Sequence, residues 1–129
     1  MDTGLCAYLC KWQDAKMLEN GAMGGAFFET WVVSELVKNF YANNERPFDY
    51  LYYYRDTDQK EIDLLYVERE DIYPIEIKTG STPKSPTRNF KVLKKYKQPI
   101  KCGIVIDTCD KMRPVNDEAF YFPAYLLGM

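Results

Sequence analysis

Histidine is absent from the 129-residue chain, which removes the Ser-His and Cys-His pairs of nucleophilic catalysis and the commonest neutral metal ligand. Chemistry must come from carboxylates, lysine, tyrosine or a bound metal. Cysteine is sparse: Cys6, Cys10, Cys102 and Cys109 fall as C-x3-C and C-x6-C. Without the tight C-x2-C pairs of common zinc sites, this spacing predicts free thiols rather than a zinc site or a disulfide framework. No apolar run approaches the roughly 20 residues of a membrane helix, and no charged-then-apolar signal segment opens the chain. The expected location is the cytoplasm. The cluster Gly21-Ala-Met-Gly-Gly25 lacks the Gly-Lys-Ser/Thr ending of a phosphate-binding loop and reads as an entry to a helix. Acids are missing from one long window: there is none from Ile77 to Ile106, where Lys78, Lys84, Arg88, Lys91, Lys94, Lys95, Lys97 and Lys101 are all basic. The formal net charge of −2 names no partner, but this asymmetry is a candidate electrostatic footprint for a polyanion.

What is present is a globular composition, 47% apolar and 28% charged, of a length that supports one domain with a single core. The opening stretch holds a short helical piece around Leu5 to Trp12 and makes an odd start for a domain. A single domain cut from a longer protein is expected, with its core over about residues 25–107.

The most informative stretch is Lys60 to Lys78, KEIDLLYVEREDIYPIEIK. It reads as two antiparallel strands turning between Glu68 and Asp71. A symmetric turn sets Tyr66 opposite Tyr73, Leu64 opposite Ile75 and Ile62 opposite Ile77, one apolar face at the period of two that strands use to bury themselves. The other face sets Asp63 opposite Glu76 and Glu61 opposite Lys78. Carboxylates opposed in this way sit about 4.5 to 5.5 Å apart at Cβ and repel. A divalent cation would explain the pair.

Around this hairpin the spacing predicts a helix from about Gly25 to Ala42, in which Glu29 shares a stripe with Val33, Leu36, Val37 and Phe40. A tyrosine-rich strand from about Phe48 to Arg55 follows, then a polar turn from Asp56 to Gln59. After the breaker-rich loop Gly80 to Pro86 comes a second helix from about Thr87 to Lys97, with Phe90, Leu93 and Tyr96 on its apolar side. Pro99 stops it. Lys101 to Asp107 is a buried strand made parallel to one already in the sheet by the crossover, and a short last strand lies near Ala119 to Phe122. The fold class is α/β, a mixed β-sheet flanked by helices in the order αβββαβ.

Asp63, Glu76 and the Ile77 carbonyl form an oxygen ligand set for Mg²⁺ or Mn²⁺. Lys78, on the face of Glu76, can orient a water or stabilise charge that develops at a phosphoryl group. Glu29 can hold a water or a second metal beside them. Lys84, Arg88, Lys91, Lys94 and Lys95 are the candidate grip on a nucleic-acid backbone. The spacing alone also suits a plain alternative, an exposed sheet face on which these charges form weak cross-strand ion pairs.

Glu29, Asp63 and Glu76-Ile77-Lys78 in this element order resemble the PD-(D/E)XK nuclease superfamily, the restriction-endonuclease-like fold. More narrowly, DTGLCAYL, GAFFETWVVSELVK, YYYRDTDQKEIDLLY and YPIEIKTGSTP look like the C-terminal domain, of unknown function, of a family of prokaryotic AAA-type ATPases. The resemblance covers nearly the whole chain. It implies a metal-dependent nuclease-like domain that hydrolyses DNA and is accessory to an ATPase module of the same parent chain. Asp63 and Glu76 match the metal ligands, Lys78 the catalytic lysine and Glu29 the acid of the first helix. Members that bind without cutting exist, so a catalytically silent module that binds nucleic acid or protein is the alternative. One departure is Gln59-Lys60, where such families often place a glycine.

Overall fold

The computed structural model describes residues 24–78 and 86–128. Lys84, Cys6, Cys10 and the helical piece expected near Leu5 to Trp12 lie outside them. Helix α1 (Gly24–Ala42) follows from Phe28, Trp31, Val32 and Leu36, which recur at helical spacing and pack on the sheet. It stops at Asn44, whose φ of 59° is left-handed. Glu45 N–H donates to the Phe40 carbonyl at 2.9 Å and Asn44 N–H to that of Tyr41 at 3.0 Å, the bond pair of a Schellman stop.

A 3₁₀ turn at Pro47–Asp49 leads into three strands, β1 (Leu51–Arg55), β2 (Glu61–Glu68) and β3 (Asp71–Ile77). Strand β1 starts later than the expected Phe48 because Pro47 opens the 3₁₀ turn. Between β1 and β2, Asp56 Oδ1 accepts from the N–H groups of Asp58 (3.0 Å) and Lys60 (2.9 Å). Gln59 sits there at φ 60°, which is why a glycine would suit its position. Then come β4 (Gly103–Asp107), β5 (Arg113–Asn116), β6 (Ala119–Pro123) and a closing 3₁₀ turn, Ala124–Gly128. The sheet order is β1-β2-β3-β4-β6-β5. Strands β1 to β3 form an antiparallel meander, β3, β4 and β6 run parallel, and β5 returns antiparallel to β6. This is the mixed α/β sheet that the sequence predicts, with β4 parallel to β3 as the crossover requires. The sheet continues past Asp107. Strand β5, four residues long with Pro114 inside it, carries too little strand signal to be read and occupies an edge, where proline is tolerated.

Two expectations need correcting. The second helix is a 3₁₀ helix over Arg88–Lys95, not an α-helix over 87–97. Phe90, Leu93 and Tyr96 recur every third residue, and three residues per turn is the 3₁₀ repeat. Leu93 is fully buried, and the Phe90 ring lies so close to β4 that a Cβ on Gly103 would meet it at 2.5 Å.

The second correction concerns Ile62. The β2–β3 register is as expected from Leu64↔Ile75 through Tyr66↔Tyr73 to Glu68↔Asp71. Against β1, however, the pairs Tyr52↔Leu65 and Tyr54↔Ile62 advance two residues on β1 and three on β2. The extra residue is a bulge in β2 around Asp63 and Leu64, and it reverses the side-chain alternation. Leu64, Ile75, Ile77, Ile106 and Val32 form the core under α1. Ile62 faces the opposite layer, with Leu65, Ile72, Tyr54 and Leu93 under the 3₁₀ helix.

Candidate metal centre

The bulge positions the site. Lys78 N–H donates to the Ile106 carbonyl on β4 at 2.9 Å, so by strand alternation the N–H and C=O of Ile77 point the other way, toward β2. There the N–H meets a side chain: Asp63 Oδ2 accepts it at 2.8 Å. The carboxylate fills the position of a strand carbonyl, and the Ile77 carbonyl is directed to the same side. Glu76 is 6% exposed, and Lys78 Nζ lies 3.3 Å from its Oε1. Asp63, Glu76, Ile77 and Lys78 are thus together, as the sequence predicts. Lys78 pairs with Glu76 rather than with Glu61, which bonds Arg55 at 3.4 Å.

Burial, then the hydrogen bond that the protonated carboxyl donates to Asp63 and the charge of Asp63, push Glu76 up to about 8, against the opposing pull of Lys78. Glu29 is exposed at the rim of α1. Its pKa is raised by partial burial and by the charges of Asp63 and Glu61, and lowered by Lys78, which identifies the field in which it sits. Among the described residues no three His, Cys, Asp or Glu side chains gather as a ligand group. The donors are Asp63, Glu76 and the Ile77 carbonyl, all oxygen. With Glu76 raised to about 8, a proton held between the crowded carboxylates takes the place that a cation could fill. A hard divalent cation fits that donor set.

Residues 24–127 match a protein family described as a domain of unknown function, DUF4143. The chain belongs to the DUF4143 family. No curated protein and no solved structure matches it. In this DUF4143 domain the matched region spans α1, the whole sheet and the candidate centre.

The basic residues divide into two groups. Arg88, Lys91 and Lys94 are exposed along the 3₁₀ helix and line hollows between it and the β5–β6 hairpin. Lys95 turns away, its ammonium 5.9 Å from the Tyr54 ring centre and 5.4 Å from that of Tyr96, beside Arg55 and Asp56.

Sequence reasoning missed three residues near the centre. Asn89 Nδ2 donates to the Glu61 carbonyl at 2.8 Å and pins the 3₁₀ helix to the start of β2. Tyr53, opposite the bulge, has its pKa raised by desolvation, then by a hydrogen bond to Glu61. Asp107 is fully buried at the end of β4, where its Oδ1 accepts from Cys109 N–H at 2.9 Å. Asp107 alone left a signal, an acid closing the buried run CGIVI. Desolvation, then the Asp107 carboxylate, raise the Cys109 thiol to about 11, so it is inert at neutral pH. Among the described residues no helix is long and apolar enough to cross a membrane.

Proposed function

We propose that this domain is a Mg²⁺- or Mn²⁺-dependent phosphodiesterase acting on DNA. The supporting observation is the Asp63 carboxylate locked by Ile77 N–H at 2.8 Å beside a buried Glu76 whose partner, at 3.3 Å, is Lys78. Asp63, Glu76 and the Ile77 carbonyl would hold the ion. When bound, such an ion neutralises phosphoryl charge and acidifies a water. The chain does the rest. The Ile77 N–H fixes the orientation of Asp63, and the Glu76 pair keeps the Lys78 ammonium at the centre, where it stabilises charge growing on the phosphate. Glu29 at the rim can accept a hydrogen bond from a water. In the parent chain the domain serves an ATPase module, in the cytoplasm, as its resemblance to nuclease-like domains of AAA-type ATPases implies.

The test is cleavage of supercoiled, linear and single-stranded DNA with Mg²⁺ or Mn²⁺, by the wild type and by Asp63→Ala and Lys78→Ala. Metal-dependent cutting lost in both variants supports the reading. Equal activity in the variants, or none in any protein with either metal, replaces it with a silent module that binds nucleic acid or a protein.

A further inference from the structure

The 3₁₀ geometry of Arg88–Lys95 has a consequence for binding. Side chains three apart eclipse one another in such a helix and repeat about every 6 Å along it. Arg88, Lys91 and Lys94 are three apart, and all are exposed. They form a straight row of cations along one wall of a groove, and Lys91 lines the hollows at both ends of it. Phe90, Cys102 and Gly103 line one end, and the β5–β6 turn, with Asp117 and Glu118, supplies the opposite wall. Asn116 Nδ2 donates to Thr87 Oγ1 at 3.3 Å and ties the two walls together at the Arg88 end. At that same end Asn89 binds the Glu61 carbonyl, two residues before Asp63, so the row leads toward the carboxylates.

We propose that this groove binds one single strand of nucleic acid, with successive phosphates on Arg88, Lys91 and Lys94 and base edges toward Asp117 and Glu118. This rests on the nucleic-acid reading above and narrows its substrate to a single strand. Three cations in line match a run of neighbouring phosphates along one strand. The acidic wall fixes the orientation, because it repels a phosphate backbone and accepts hydrogen bonds from base amino groups. The same wall opposes the second backbone of a duplex. Lys95, engaged with Tyr54 and Tyr96, lies outside the row.

Fluorescence anisotropy of labelled oligocytidylate, whose bases carry amino groups, and of a labelled duplex, both in EDTA, tests this without any cleavage. The expected result is tighter binding of the single strand. Arg88→Glu, Lys91→Glu and Lys94→Glu together should weaken it by about tenfold or more and flatten the log–log salt slope by about 2, since each neutralised phosphate of a single strand contributes about 0.7. Lys95→Glu should change it less than about twofold. Should the triple variant not reach the wild-type melting temperature, the single Lys91→Gln change gives the same comparison, with a slope change of about 0.7. Equal or tighter binding of duplex, unaltered affinity on removing the row, or an equal loss with Lys95→Glu overturns the proposal. Absence of metal-dependent cutting by the wild type, with this binding present, would overturn the phosphodiesterase reading and leave the groove intact.

Discussion

At its turn end the β2–β3 hairpin pairs residue for residue from Leu64↔Ile75 to Glu68↔Asp71, and Tyr66 and Tyr73 stand 5.6 Å apart between ring centres. At its open end a side chain, Asp63, takes the N–H that a strand carbonyl would otherwise hold. The two ends differ by one residue inserted in β2. At the turn end, backbone pairing and apolar contact work together. At the open end, pairing gives way so that carboxylates and a main-chain carbonyl can converge. On the proposed reading, stability is concentrated in the first arrangement and chemistry in the second, and substitutions can separate them.

The largest effect is expected at the open end and on function alone. Lys78→Ala should lower metal-dependent cleavage by about a hundredfold or more, the scale for removing one positioned charge stabiliser. Lys78 is 43% exposed at its side chain, so the melting temperature should hardly move. Initial rates alongside thermal melts make the comparison. Asp63→Ala should cost both activity and about 1–3 kcal/mol, because the buried Ile77 N–H loses its acceptor. Asp63→Asn retains an acceptor oxygen and should cost activity only.

Next in size is the correction to Ile62. Ile62→Ala and Leu93→Ala each remove a fully buried side chain and should each cost about 2–5 kcal/mol. Since the two share a cluster, a double-mutant cycle should give a coupling of about 0.5–3 kcal/mol, whereas Ile62 with Ile77 should be additive. The reverse pattern in urea titrations would restore the unbulged face.

A third effect is pH dependence in the presence of chelator. The Glu76 carboxyl is raised in the folded state from 4.5 to about 8, so between these values the folded state binds more protons than the unfolded one. Its contribution is complete below 4.5 and is lost as pH rises through about 8. Stability should therefore fall across that window, and Glu76→Gln should flatten the profile of denaturation midpoints. The smallest effect is at the turn. Arg69 has φ 58°, and Arg69→Gly should shift stability by no more than about 1 kcal/mol, toward greater stability, with no change in cleavage.

Much of the hairpin was legible because alternation and a symmetric turn leave one register that buries Leu64, Tyr66, Tyr73 and Ile75 together. The bulge was not, because one inserted residue does not alter the composition of EIDLLY, and only pairing with β1 exposes it. For the second helix the period was legible and its meaning was not. Phe90, Leu93 and Tyr96 repeat every third residue, and that short row serves as readily for one face of an α-helix until Gly103 fixes how close the Phe90 ring must lie. That Asp63 lies near Glu76-Ile77-Lys78 was legible from the hairpin, but the expected pairing of Asp63 with Glu76 was not kept: past the bulge Asp63 binds the Ile77 N–H. Asn89 and Tyr53 were not legible, since their partners, the Glu61 carbonyl and the Glu61 side chain, are brought near only by the folded chain, and Asp107 showed only as an acid closing a buried run.

The most direct measurement is calorimetric titration of Mn²⁺ into the wild type and Asp63→Asn at neutral pH, with melting temperatures recorded for both. If the open end of the hairpin is a metal centre, the wild type binds one Mn²⁺ with release of protons, and Asp63→Asn melts like the wild type but has lost the binding. Equal Mn²⁺ binding by the two proteins, or no binding by the wild type, would contradict it.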